Sequence, residues 1–267
     1  MSNNIFFERG QMADKPNNYL WNGDCLELMK DIPDKSINAI ICDLPYGTTA
    51  CKWDIVIPFE PLWEQYERLI KKDGAIVLFG SEPFSSFVRM SNLPKYKYDW
   101  KWNKRNGGNP FLVKKRPIMN YEDVMIFGTP KTTYNYQIDK SKLLNKLPNR
   151  KPEERQSEHF NNYKWNNKRN VGYPKAIIDF KTTQWKKKHP TEKPLELLKY
   201  LVKTYTNEND WVLDNTCGSN TTGVACYDLN RNYIGIEKNK DFYKVAKKRM
   251  EENILLRANK PKTLFEQ

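Results

Sequence analysis

Trp211-Val212-Leu213-Asp214-Asn215-Thr216-Cys217-Gly218-Ser219-Asn220-Thr221-Thr222-Gly223 decides the fold. Three apolar residues run into an aspartate, a turn containing Gly218 follows, and Thr221 to Leu229 predict a helix. Strand, tight turn and helix in that order place the turn at the carboxyl end of a strand, where open α/β sheets bind ligands. Gly218 permits a sharp turn and close approach of a ligand, and the first amides of the following helix face the same space. Nineteen residues beyond Gly218, the strand Tyr233 to Ile236 ends at Glu237, whose carboxylate can accept two hydrogen bonds from a ribose diol. The turn lacks the full G-x-G-x-x-G pattern, and Asp214 would repel a pyrophosphate, so a dinucleotide fits poorly. A cofactor with an amino group and a sulfonium charge fits better.

Asp43-Leu44-Pro45-Tyr46 stands at the end of a second apolar run, Ala39 to Cys42. A carboxylate and a backbone carbonyl held by proline form two acceptors spaced for an exocyclic amine, and Tyr46 offers a ring for a base to lie against. An aspartate capping a turn before proline is the bland alternative for the tetrad alone.

Working outward, Tyr19 to Trp21 predict a strand ending at Asn22-Gly23-Asp24, and Leu26, Leu28 and Met29 a short helix that Pro33 helps to stop. Ile37 to Cys42 is the next strand, and Leu62, Tyr66, Leu69 and Ile70 have helical spacing. Ala75 to Phe79 reads as a buried strand and Pro83 to Met90 as a helix. Tyr98 to Trp102 and Val124 to Phe127 read as a strand pair joined through Asn106-Gly107-Gly108-Asn109. Periodicity fades from Thr129 to Lys188, which is too long for an ordinary connection and is expected to be a separately packed insertion. A helix opened by Pro194 and a long basic helix from Asp241 to Leu256 complete a doubly wound α/β alternation. The expected division is a catalytic half at 1–128, the insertion at 129–188 and a cofactor-binding half at 189–267.

A chain of 267 residues can bury roughly three-quarters of its extended surface, enough for one core with a large insertion. Hydrophobic residues at 39% argue against disorder, and neither a long apolar run nor a leading secretion signal is found, so a soluble cytoplasmic protein is expected. Cys25, Cys42, Cys51, Cys217 and Cys226 form no C-x-x-C pair, and only His159 and His189 are available, so neither a disulfide framework nor a metal site is expected. The net charge of +13 is concentrated. Between Lys131 and Lys188 there are 15 Lys or Arg against 5 Asp or Glu, interleaved with Tyr134, Tyr136, Phe160, Tyr163, Trp165, Tyr173 and Trp185. A basic run can be a mere solvated face, but basic charge mixed with aromatic rings suits phosphate neutralisation and base stacking, which points to nucleic acid.

With these motifs assembled, the chain resembles the S-adenosylmethionine-dependent DNA amino methyltransferases of the class in which the catalytic motif precedes the cofactor motif. Leu44 replaces the first proline of the usual D-P-P-Y tetrad. His189-Pro190-Thr191-Glu192-Lys193-Pro194 resembles the family segment before the cofactor strand, and Asn22-Gly23-Asp24-Cys25 its acidic strand end. Lys101-Trp102-Asn103-Lys104 and Lys115-Arg116-Pro117 through Phe127 resemble the remaining catalytic-half motifs. The likeness covers roughly residues 19–128 and 189–255. It implies a mostly parallel seven-stranded sheet with helices on both faces, and methyl transfer to adenine N6 in double-stranded DNA. By that resemblance Asp43, the Leu44 carbonyl, Pro45 and Tyr46 hold a flipped-out base, and Asp214, Thr216, Gly218, Ser219 and Thr221 the methionine moiety. Glu237 would hold the ribose, and Asp24 with the Cys25 backbone the cofactor adenine. Target recognition falls to 129–188, and a homodimer is compatible with the class. The turn departs from the family at Asn215, Thr216 and Asn220, where proline, an aromatic residue and a second glycine are usual; Asn can adopt the left-handed conformation at some cost. Cytosine N4 is the alternative target, and a catalytically inactive DNA-binding relative with a degenerate cofactor fold is the alternative of a different class.

Overall fold

The computed structural model describes residues 17–49, 51, 54–108, 113–139, 172–182 and 192–258. In chain order these form β1 (Asn18–Asn22), α1 (Cys25–Leu28), β2 (Ile37–Cys42), α2 (Phe59–Leu69), β3 (Ile70–Gly80), α3 (Phe84–Ser91), β4 (Tyr96–Gly108), β5 (Met119–Gly128) and β6 (Ile177–Asp179). Then come α4 (Leu195–Tyr205), β7 (Trp211–Asp214), α5 (Thr221–Asp228), β8 (Asn232–Glu237) and α6 (Lys240–Ala258). One sheet runs β1-β8-β7-β2-β3-β5-β4-β6. Its pairings are parallel except where β5 runs against β3 and β4.

The strand sequences explain the two-sided burial. In β2, Ala39 and Ile41 join the core under α4 and α5, while Ile40 and Cys42 join the core under α2 and α3. Successive side chains point to opposite faces, so a strand covered on both must be apolar throughout. Leu62, Trp63, Tyr66 and Leu69 are the buried stripe of α2, and Leu197, Leu198, Leu201 and Val202 that of α4. Burying each of these aliphatic side chains stabilises the fold by about 1.5–3 kcal/mol.

From β2 the chain winds through α2 to β3 on one side; from β7 it winds through α5 to β8 on the other. β2 and β7 are themselves parallel neighbours, with Ala39 beside Val212 and Ile40 beside Leu213. This is the point where winding reverses, and the crevice beyond such strand ends is the ligand site of open α/β sheets. Asp43 follows β2 there and Asp214 closes β7.

Three expectations require correction. The described sheet has eight strands, because Ile177–Asp179 pairs in parallel with Lys101, Trp102 and Asn103 of β4. Ile178 is buried in the core, and Trp102 Nε1 donates to the Phe180 carbonyl at 2.8 Å. The described ends of the 129–188 stretch therefore do not pack separately. Asn135 N donates to the Thr204 carbonyl at 2.7 Å, and Gln137 Nε2 to Tyr200 O and Thr204 Oγ1 at 2.9 and 2.8 Å, tying that stretch to α4. Residues 140–171 and 183–191, with His159, Phe160, Tyr163, Trp165, Trp185 and His189, lie outside the described residues. Ile70 also moves, from the end of α2 to the first position of β3 opposite Ile37.

Candidate active site

Asp43 is half-buried where β2 ends, and both carboxylate oxygens are engaged: Tyr46 Oη donates to Oδ1 at 2.7 Å and Lys193 Nζ to Oδ2 at 2.6 Å. Its backbone carbonyl accepts from Thr216 Oγ1 at 3.0 Å, which ties the tetrad to the turn after β7. The Leu44 side chain is buried, and Phe84 stacks on the Tyr46 ring with centroids 4.8 Å apart. After Tyr46, Gly47 takes a positive φ of 66°, and the amides of Gly47, Thr48 and Thr49 converge on Asp54 at 2.9, 2.9 and 2.7 Å.

Charge in this half is shared by two acids and two lysines. Lys193 Nζ also lies 3.2 Å from Glu122 Oε2, and Lys104 pairs with the other Glu122 oxygen. Burial raises the Asp43 carboxyl above its ordinary range, against the pull of Lys193. Burial also acts to lower Lys193, but Asp43 and Glu122 outweigh it and hold the ammonium above its ordinary value. Glu122 is pushed up by burial and down further by Lys193 and Lys104, so it lies below the usual carboxylate range. The Tyr46 phenol, pushed well up by burial and by Asp43, remains a donor.

The part of the site beside Asp214 is built from the turn. Cys217 N donates to Ile236 O at 2.9 Å and Asn220 N to Cys217 O at 2.7 Å, while Gly218 adopts φ 52°. Gly218 N and Asn239 N donate to the two oxygens of Glu237 at 2.9 and 2.7 Å, so the acid expected to hold a ribose also pins the turn. Burial pushes Glu237 up. Asp214, 3% exposed, is pushed up to about 7 chiefly by burial, against the hydrogen bonds of Thr222 and the Thr216 amide. Ser219 and Thr221 are fixed by Arg249 Nη1, which donates to their hydroxyls at 3.0 and 2.9 Å, and Arg249 pairs with Glu192 at 2.8 Å. Asp24 caps α1 by accepting from Leu26 N at 2.9 Å and is held below the usual carboxylate range first by its hydrogen bond with Lys238.

Asn220 stands in the left-handed region, φ 63° and ψ 36°, as its place in the turn leads one to expect. Its amide side chain is buried, with Oδ1 and Nδ2 both lacking a protein partner. A Cβ on Gly223 would lie 2.2 Å from Asn220 Oδ1, so this glycine makes room for that side chain.

Asp24, Cys25, Asp43, Leu44, Pro45, Tyr46, Asp214, Thr216, Gly218, Ser219, Thr221 and Glu237 all line one cavity of about 760 Å³. The structure thus brings together every site residue the sequence singles out. It adds Lys193, Glu122, Lys104 and Asp54, of which Lys193, Lys104 and Glu122 stand within motifs already quoted. Asp54, in a loop, carries no comparable local signal, and Glu122, on β5, was not singled out within its motif. The donor set fits S-adenosylmethionine: acids stand at the ends of β1, β7 and β8, where a ribose diol needs acceptors and an ammonium and sulfonium need negative charge. Among the described residues no His, Cys, Asp and Glu group could hold a metal ion, and no helix is long and apolar enough to cross a membrane.

The fold and the cavity define an S-adenosylmethionine-dependent methyltransferase. The comparisons narrow this: the family model described as DNA methylase, that of the N6/N4 methyltransferases, matches residues 37–248, and the chain belongs to that family. Among its relatives, the type II methyltransferase M.HinfI of Haemophilus influenzae is 29% identical over 88% of this chain and 68% of its own length. The DNA adenine methyltransferase YhdJ of Escherichia coli is 26% identical over 86% of this chain and 81% of its own. The crystal structure of the M1.HpyAVI complex with S-adenosylmethionine superposes with a TM-score of 0.60 at 27% identity, covering 87% of this chain and 98% of that one.

Proposed function

We propose that this protein transfers a methyl group from S-adenosylmethionine to the N6 amino group of adenine in a nucleotide flipped out of double-stranded DNA. The observation that carries the reading is the meeting of Asp43 and Asp214 at adjacent strand ends on one cavity, with Tyr46 beside the first and Glu237 beside the turn of the second. Adenine is favoured over cytosine because the tetrad opens with aspartate, the family form more often linked to adenine, and because YhdJ is named an adenine methyltransferase.

The cofactor, when bound, supplies an electrophilic methyl group on a sulfonium. Glu237 would accept from the ribose, Asp24 and the Cys25 backbone would hold its adenine, and Asp214 with Thr216, Gly218, Ser219 and Thr221 its methionine portion. Flipping a base costs a few kcal/mol, and stacking on Tyr46, at about 1–3 kcal/mol, offsets part of it. Asp43 and the Leu44 carbonyl would accept the two amine hydrogens and orient the nitrogen lone pair toward the methyl carbon. Moving the methyl carbon from sulfur to nitrogen would leave a neutral thioether and a cationic amine, whose charge the Asp43 carboxylate would stabilise until one proton passes to solvent. Alignment and fixed charge, not strong basicity, supply the acceleration.

The 129–188 stretch would select the sequence, with its basic residues on phosphates. The order of the motifs supports the class with the catalytic motif first, acting on DNA in the cytoplasm, with a homodimer as the assembly to test. Incubating the protein with isotopically labelled S-adenosylmethionine and DNA, then separating the nucleosides, tests the reading. Labelled N6-methyladenine is expected; label in N4-methylcytosine would replace the target, and unlabelled DNA would defeat the proposal.

A further inference from the structure

The catalytic carboxylate already holds a cation. Lys193 is 8% exposed, its ammonium 2.6 Å from Asp43 Oδ2 and 3.2 Å from Glu122 Oε2. Asp43 Oδ1 is committed to Tyr46, so Oδ2 is the oxygen left for an incoming amine, and Lys193 stands on it. A buried ammonium cannot leave its counter-ion without another within reach, because an unpaired buried charge is expensive. Glu122 is that second counter-ion, fixed on β5 by Lys104 through its other oxygen. The rings of Tyr46 and Phe79, with centroids 5.8 and 5.1 Å from Lys193 Nζ, face the same cation.

We propose that Lys193 is a positioning residue for the target amine: it occupies Asp43 in the empty site, keeps that carboxylate ionised, and passes to Glu122 when the amine arrives. The proposal rests on the DNA amino methyltransferase reading. The hand-over moves a charge-assisted contact from one acid to the other and leaves the net charge of the cluster unchanged. It also places a compact cation beside the tetrad only until the substrate nitrogen, which itself becomes cationic, takes that position.

The groups facing Asp43 set the sign of the pH response. Tyr46 lies on its own loop, Lys193 precedes α4, Glu122 lies on β5, and Asp214 ends β7. Lys193 favours the ionised carboxylate, whereas Glu122 and burial oppose it. Loss of Lys193 therefore moves the acid limb of the methyl-transfer rate to higher pH, and loss of the Glu122 charge moves it to lower pH.

The test is single-turnover methylation of DNA across pH by the wild type, Lys193→Met, Lys193→Arg and Glu122→Gln, with S-adenosylmethionine affinity measured by calorimetry for each. Lys193→Met is expected to raise the acid limb with cofactor affinity intact, and Lys193→Arg to keep the limb where it is in the wild type. Glu122→Gln lowers the limb and raises KM for DNA by about tenfold, since the lysine loses its second seat. If Lys193→Met fails to fold, the Glu122→Gln limb and KM decide the matter. Limbs that do not move, that move in the same direction in both variants, or a loss confined to cofactor affinity would overturn the proposal while leaving the methyltransferase reading in place. A wild type that binds the cofactor and methylates no DNA overturns that reading and the hand-over together.

Discussion

Replacing Glu237 by alanine separates the turn-pinning its carboxylate performs from the ribose binding proposed for it. Each oxygen accepts one backbone N–H, from Gly218 at 2.9 Å and Asn239 at 2.7 Å, and the cofactor ribose is expected to donate to the same two oxygens. A hydrogen bond to a charged group contributes about 1.5–3 kcal/mol. Water entering the truncated site recovers part of two such contacts, leaving a net loss of about 2–4 kcal/mol, or about 30- to 700-fold in affinity. Loss of the two backbone contacts loosens the turn as well, by about 1–2 kcal/mol, which lowers the melting temperature by about 2–8 °C in a chain of this size. Glu237→Gln discriminates further: with an N–H aimed at each oxygen, an amide must turn its NH₂ toward one of them, so it should also weaken binding. Titration calorimetry on folded variants reads the first effect and thermal unfolding the second. Unchanged affinity in a folded Glu237→Ala protein would refute the ribose assignment.

Asp43→Ala is expected to lower methyl transfer by at least about 100-fold while sparing cofactor affinity, because the carboxylate is proposed to face the target amine; near-normal turnover in a labelled-methyl assay would remove Asp43 from the catalytic assignment. Asp214, pushed up to about 7 by burial, holds its proton more tightly folded than unfolded, so its contribution lowers stability as pH rises from about 4 to about 7. Asp214→Asn should flatten that slope in thermal melts taken across pH and weaken cofactor binding at pH 8; a retained slope would assign it to another group. Because 129–139 and 172–182 pack against α4 and β4, a specificity swap should exchange only 140–171 with a related enzyme. Sequencing of methylated DNA should then report a new target with cofactor affinity unchanged, and the original target in an active chimera would place recognition elsewhere.

What was legible in the sequence follows the physics of burial. Ile37–Cys42 is covered on both faces, so it is apolar apart from Asn38, and its predicted limits coincide with β2. Asp43 and Asp214 were readable because each ends such a run. β6 was not, because three residues in a proline-broken stretch show no period and are held in place by Trp102 and Ile178 meeting across the sheet. Ile70 has the helical spacing of α2, yet pairing opposite Ile37 decides its state. Glu122 lies within the quoted stretch from Lys115 to Phe127, but its partner could not be read there: Lys193, two residues before α4, reaches across to both acids. Asp54 likewise acquires its part by gathering three amides of the loop after Tyr46.

By the proposed function, one cavity at the reversal between β2 and β7 holds the cofactor and the target amine together. A crystal structure of the protein with a non-reactive S-adenosylmethionine analogue and DNA containing its target tests this most directly. The expected result is the analogue's ribose on Glu237, its amino group near Asp214, and the flipped base with its amine on Asp43 and its ring against Tyr46. A cofactor analogue seated away from the Gly218 turn, or a flipped base whose amine faces away from Asp43, would contradict it.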